Sequence, residues 1–448
     1  MRWIDIILPE TETNQEFDTL MAEAVYLTSD ILDLQDRHGL DSPQVVEQMA
    51  QVGLRLFQAI TSHDQQAFTP NENVKTHQTP QIGVPAHDVL LGYHIVTDDE
   101  WAGMPWTWLH NGLEFVLEKH PICTATTTSR LPAAESQRPW MSRWIRADFL
   151  VDDQGDSDLY NTLDQLRPEN LAQPEILFVP GHTDEQIRRL IRREAEAIES
   201  ALGQSHLGQN LANLDLPQKS ITPTELKTRS INYQAIHFAG PTSQPASADD
   251  TQGQFWMNRL IDDVNAPQDR ELEEAIGVEA EVIGVDPITS LLDSVSEKYD
   301  IEGLSENRVG AGGISRVGGE STPPADAAQH NSAPPWLLDD GPVEPESIGA
   351  SGGMPPLVFS NSYRALPELG MRFTNAGAST FIGPLVPLFS RPARIFTGYL
   401  YSNLADGWGS GAAVWQASQH VRKELGKDHP AWLSYGLRGY GTLALQYL

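Results

Sequence analysis

"PPLVFSNSYRA" (355–365) runs from two prolines into Leu357-Val358-Phe359 and then turns abruptly polar. An unbroken apolar run of this kind reads as a buried strand, the type that builds parallel sheets. Its end, Ser360-Asn361-Ser362-Tyr363-Arg364, puts hydroxyls and a phenol at the carboxyl end of a strand, where open α/β sheets hold their ligands.

Outward from this stretch the same grammar repeats. EILFVPG (175–181) and NYQAIHFAG (232–240) read as short buried strands, and STFIG (379–383) as another. Between them, HTDEQIRRLIRREAEAIESALG (182–203) is amphipathic, with Thr183 or Asp184 as cap and Gly203 as stop. Helices are expected at 391–404 and 410–425, and a last strand at 440–448. Short apolar strands alternating with helices predict βαβ units and a largely parallel sheet.

The first part of the chain reads differently. Residues 13–65 look helical, with an apolar stripe over 44–60 and a start at Asp41-Ser42-Pro43. Residues 66–86 are polar and predict a loop. Strand patterns follow at 87–101, 121–129 and 143–153, with a helical pattern at 103–120. The organisation expected is a helical region (1–86), a β-rich part with a Pro-Trp motif (87–170), and an α/β domain (171–448). Residues 242–334 interrupt that domain. Residues 249–306 carry sixteen acids against Arg259, Arg270 and Lys298, and 309–335 are rich in Gly, Ser, Pro and Ala. The second part has linker composition, whereas 254–264 and 288–299 carry helix-period apolar stripes that suit short helices or partner-binding motifs.

Composition excludes several classes. The formal charge is −31, and the most basic stretches, 188–197 and 143–148, are short and mixed with acids, so neither nucleic acid nor an anionic membrane is an expected partner. No apolar run is long enough to span a bilayer, and the start lacks the pattern of a signal peptide, so a cytoplasmic protein is expected. The single cysteine, Cys123, rules out an internal disulfide and any multi-thiolate metal site. LHNGLEFVLEKH (109–120) lacks the i, i+4 histidine pair of a zinc helix, and the glycines of 308–319 have no strand before them and no Gly-Lys-Ser/Thr after. No cofactor or metal is expected.

Three segments carry a resemblance in this order: GMPW (103–106), AIHFAGP (235–241), and PPLVFSNSYRA with NAGASTFIGPLVPL (375–388). Together they resemble the CHAT family, bacterial relatives of caspases and separases. The family has a Pro-Trp motif, a strand of the type I-H-F-A-G-H, a strand of the type L-V-F-L-N-A-C-R, and A-G-A-x-x-x-I-G. HPAWLSYGLRGYGTLAL (429–445) fits the family's closing strand after a tryptophan-bearing loop. The resemblance covers roughly 88–240 and 336–448. It implies an α/β fold, a caspase-like three-layer αβα sandwich with a helical N-terminal region and a long acidic insertion. It also implies a His–Cys dyad at the carboxyl ends of adjacent parallel strands.

This sequence departs from the pattern at both dyad positions. Pro241 stands at the histidine and Tyr363 at the cysteine. Proline holds no proton, and a tyrosine phenol with an ordinary pKa of about 10 is a poor nucleophile at neutral pH. The implied protein is a pseudopeptidase that binds a protein or peptide, with His237, Gly240, Ser360, Asn361, Ser362 and Arg364 as candidates for lining the groove. Its setting would be a bacterial proteolytic-signalling, cell-death or anti-phage defence system, its partner an active protease or effector. His237 matches the family's non-catalytic histidine, and Cys123 reads as a small buried hydrophobe ahead of the caspase-like sheet. Trp108 replaces the family's acid after Pro-Trp, and Trp106 and Trp108 are expected to pack the junction between the halves. Two alternatives stay open. One is a hydrolase using Ser362 with His182 or His206, and the other is a structural subunit of an assembly.

Overall fold

In a computed structural model the described residues are 2–9, 14–38, 43–68, 76–78, 91–98, 101–126, 175–181, 185–203, 212–217, 221–240, 242, 335–351, 353–362, 364–386, 390–405, 408–439 and 441. The expected strand at 143–153, the stripes at 254–264 and 288–299, and Pro241, Tyr363, His182 and His206 lie outside them.

Among the described residues ten strands form one mixed, mostly parallel sheet. Five come from the first part of the molecule and its last strand: β1 (Arg2–Ile7), β2 (Thr76–Gln78), β3 (Leu91–Thr97), β4 (Ile122–Thr126) and β12 (Tyr435–Gly439). Five come from the second part: β5 (Glu175–Pro180), β6 (Asn213–Asp215), β7 (Ala235–Ala239), β10 (Leu357–Asn361) and β11 (Thr380–Pro384). In space the order is β2-β1-β3-β4-β12-β11-β10-β7-β5-β6. Strands β1, β3, β4 and β12 run parallel to one another, as do β11, β10, β7, β5 and β6. The two blocks meet antiparallel at β11–β12, so their carboxyl ends open on opposite edges. Within the second block, chain order reads 2-1-3-4-5 across the sheet, the doubly wound order with its switch point between β5 and β7.

Helices α1 (Gln15–His38) and α2 (Pro43–His63) pack on each other. Proline at the first position of α2 removes no helical hydrogen bond. Helix α3 (Glu185–Gly203) follows β5, and the short α4 (Pro223–Arg229) precedes β7. A capping box starts α4: the Thr222 hydroxyl accepts from the Glu225 backbone, and the Glu225 side chain accepts from the Thr222 backbone. A hairpin, β8 (Trp336–Leu338) and β9 (Gly341–Val343), leads into α5 (Pro345–Ala350). Helix α6 (Ala365–Asn375) follows β10; α7 (Ser390–Ala405) and α8 (Ser410–Leu425) follow β11. Helices cover both faces of the second block. Glu194 of α3 and Tyr401 of α7 meet His237 on one face, while Phe373 of α6 packs near Trp336 on the other. Among the described residues no helix is long and apolar enough to cross a membrane.

Four expectations change. The run 121–129, expected ahead of the sheet, supplies a central strand: β4 pairs with β3 on one side and β12 on the other. The N-terminal region opens on a strand, β1, and the loop at 66–86 contains β2, which pairs with β1. The segment 103–120 is not a helix but two 3-10 turns, Trp106–Trp108 and Val116–Glu118, joined by a loop closed at a His110–Phe115 bridge. The Asn111 side chain accepts from the Leu113 and Glu114 backbones, and Gly112 turns with φ +96, so local bonds displace helical ones. The last described strand, β12, lies at 435–439; the strand expected at 440–448 lies, apart from residue 441, outside the described residues. Trp106 and Trp108 are buried, and Trp108 Nε1 donates to the Leu433 carbonyl 3.0 Å away, beside β12 where the two blocks join.

Candidate functional site at the carboxyl ends of β7 and β10

Strands β7 and β10 are direct parallel neighbours, with His237 opposite Phe359 and Ala239 opposite Asn361. The next residues of each strand lead to positions 241 and 363, each two beyond that last pair. On the other side of β7, Gly181 N donates to Ala239 O at 2.8 Å. A methyl on Gly240 would stand 2.5 Å from Gly181 Cα, so only glycine lets these two strand ends approach.

Successive side chains of the two strands face opposite ways. On one face His237 Nε2 lies 2.8 Å from Glu194 Oε1, and Nδ1 lies 3.1 Å from the Tyr401 hydroxyl. A carboxylate only accepts, so Nε2 carries the shared proton and, in the neutral ring, Nδ1 accepts from Tyr401. The same Glu194 oxygen accepts from Asn361 Nδ2 at 2.6 Å and Thr397 Oγ1 at 3.4 Å, and Asn361 Oδ1 accepts from Tyr435 at 2.9 Å. Phe178 stacks on the imidazole, and Phe359 meets it edge-on. Glu194 and His237 are almost wholly buried. Burial, and then the Glu194 charge, pushes the Tyr401 phenol well above its ordinary value.

On the opposite face Trp336 Nε1 donates to Ser360 Oγ at 2.9 Å, and Ser360 Oγ pairs with Ser362 Oγ at 2.9 Å. The indole stacks on Phe238 and meets Phe373, both with ring centroids 4.5 Å away. Of the six candidates for a groove, His237, Gly240, Ser360, Asn361 and Ser362 are thus packed inside the described structure; Arg364 is partly exposed. Arg364 holds φ +45, the one non-glycine residue with positive φ among those described, and sits where β10 turns into α6. Such a conformation stores on the order of 1–3 kcal/mol and concentrates at functional turns. Its Nε is 3.8 Å from Glu368 Oε1.

A serine nucleophile needs a base in hydrogen-bond reach, and the described partner of the Ser362 hydroxyl is another serine. The thiol of Cys123 is closed in as well. Methyls on Gly411 and Gly441 would come within 2.6 and 2.5 Å of its sulfur, and burial pushes its pKa up. Cys123 does stand in register with His94, and His94 with Asp5, across three parallel strands. His94 Nδ1 lies 3.1 Å from Asp5 Oδ1, but the buried Nε2 has no hydrogen-bond partner among the described residues. Among the described residues no three His, Cys, Asp or Glu side chains gather as a metal site.

Sequence reading missed Glu194 and Trp336. Glu194 left a signal: it falls on the buried stripe of α3, between Ile191 and Ile198, where a solvated acid has no place. Trp336 was hidden by the linker composition that precedes it. No family model matches the chain, and a search of curated proteins finds no match.

Proposed function

We propose that the chain is a degenerate CHAT-type protein that acts by binding a protein or peptide at the carboxyl ends of β7 and β10, without peptidase chemistry. The observation that carries the reading is the parallel register of these strands, which brings the approaches to positions 241 and 363 side by side. A dyad needs a base on one strand end and a thiol on its neighbour, and here the sequence has proline and tyrosine. The doubly wound strand order, the antiparallel strand that follows it and helices on both faces support a caspase-like three-layer architecture. The burial of both serines and of the one thiol weighs against an unconventional nucleophile. In this reading the protein is a cytoplasmic regulator or scaffold in a bacterial proteolytic-signalling or defence system.

The test is to incubate the folded protein with a broad peptide library and with serine- and cysteine-reactive probes. The expected result is no cleavage and no labelling. Labelling of Ser362 or Cys123 that denaturation abolishes would overturn the reading.

A further inference from the structure

Trp336 sits where the chain returns after residues 243–335, and an antiparallel bridge joins it to Thr242, three residues beyond the end of β7. One residue therefore touches three elements at the candidate site. Its ring stacks parallel on Phe238 of β7 at an interplanar angle of 6°, lies against Phe373 of α6, and hands its one N–H to Ser360 of β10. Ser360 in turn engages Ser362, the last described residue before position 363. The indole is fully buried although it belongs to a strand of three residues paired with another of three. Two-stranded ribbons this short have little stability of their own, so the hairpin is held by what its buried side chains, Trp336 with Leu338 and Val343, pack into.

We propose that the hairpin Trp336–Val343 is a built-in occupant of the binding site, and that the true partner is an extended protein segment that replaces it. The site selects for that partner's chemistry. Two phenylalanine walls accept a flat aromatic ring, Ser360 Oγ accepts one N–H, and the backbone at Thr242 offers strand pairing. A segment that pairs as a strand and presents a tryptophan meets all three. This rests on the binding reading above and adds that the site is self-occupied until such a segment arrives.

The experiment uses the full chain carrying S362C and follows maleimide labelling of that thiol by mass spectrometry, with Cys123 as a buried internal control. With Trp336 present, labelling should be slow. Adding W336A should speed it by about ten-fold or more while Cys123 stays unlabelled. A peptide of residues 335–344 should restore slow labelling, and the same peptide with its tryptophan replaced by alanine should not. Equal rates with and without W336A, or a peptide without effect, overturn the proposal. Where W336A also exposes Cys123, the milder W336F decides. It keeps an aromatic ring but loses the donor, so it should speed labelling several-fold with Cys123 protected, and an unchanged rate overturns the proposal. Peptide cleavage by the wild type would remove the non-catalytic reading and leave these rates standing. Equal rates would remove the self-occupied site and leave that reading standing.

Discussion

The two faces of the β7–β10 pair are built from the same few residues and solve burial in different ways. On one face, His237 and Asn361 bring polar groups into a buried space, and three further elements, α3, α7 and β12, supply partners, with His237, Asn361 and Thr397 all directed at the Glu194 carboxylate. On the other, Phe238 and Ser360 meet a single indole that offers one donor and a large apolar surface. The first face is locked by charge and the second by packing. A charge-locked face resists change because removing one partner strands the others. A face packed by one inserted ring can be vacated and refilled. The difference suggests which side of the strand pair is framework and which side is open to exchange.

Glu194→Ala leaves His237, Asn361 and Thr397 without their common acceptor, and should destabilise the fold by about 3–5 kcal/mol. Urea unfolding should show a lower midpoint at an unchanged slope. Trp336→Phe, on the packed face, should lose only about 1–2 kcal/mol, because the ring contacts largely remain and one hydrogen bond goes. A larger loss for Trp336→Phe than for Glu194→Ala would reverse the assignment of framework and exchangeable faces.

At the surface, Glu346 also holds a charge-assisted pair, with Arg372 at 2.6 Å. That hydrogen bond keeps the Glu346 carboxyl below its ordinary value, with partial burial opposing. A depressed folded pKa adds stability that is complete above the unfolded value and is lost as pH falls through the folded one. Because Glu346 is more than half exposed, the contribution should stay under about 1 kcal/mol. Stability measured from pH 6 to pH 3 should fall less steeply in Arg372→Ala than in the wild type.

Strands buried on both faces were the most legible parts of the molecule. The apolar runs at 175–181, 357–359 and 379–383 fall on β5, β10 and β11, because such runs fit little else when glycine and proline bound them. Strand β1 was not legible: Asp5 and the exposed Ile7 interrupt its pattern, and its partners β2 and β3 lie far along the chain. Pairing of β4 with β12, which brings the first block to its seam with the second, was hidden for the same reason, since no local pattern announces pairing across three hundred residues. At the site, the strand end and its residues could be read from "VFSNSYRA". What the residues touch could not, because Glu194, Tyr401 and Trp336 arrive from three distant segments.

In the proposed reading, positions 241 and 363 hold the places of a lost dyad. The most direct measurement is the pH profile of alkylation of the thiol in Y363C, with and without P241H. The double variant should react about ten-fold faster near neutral pH, with its profile shifted to lower pH as the imidazole takes the thiol proton. Superimposable profiles for the two variants would contradict that reading.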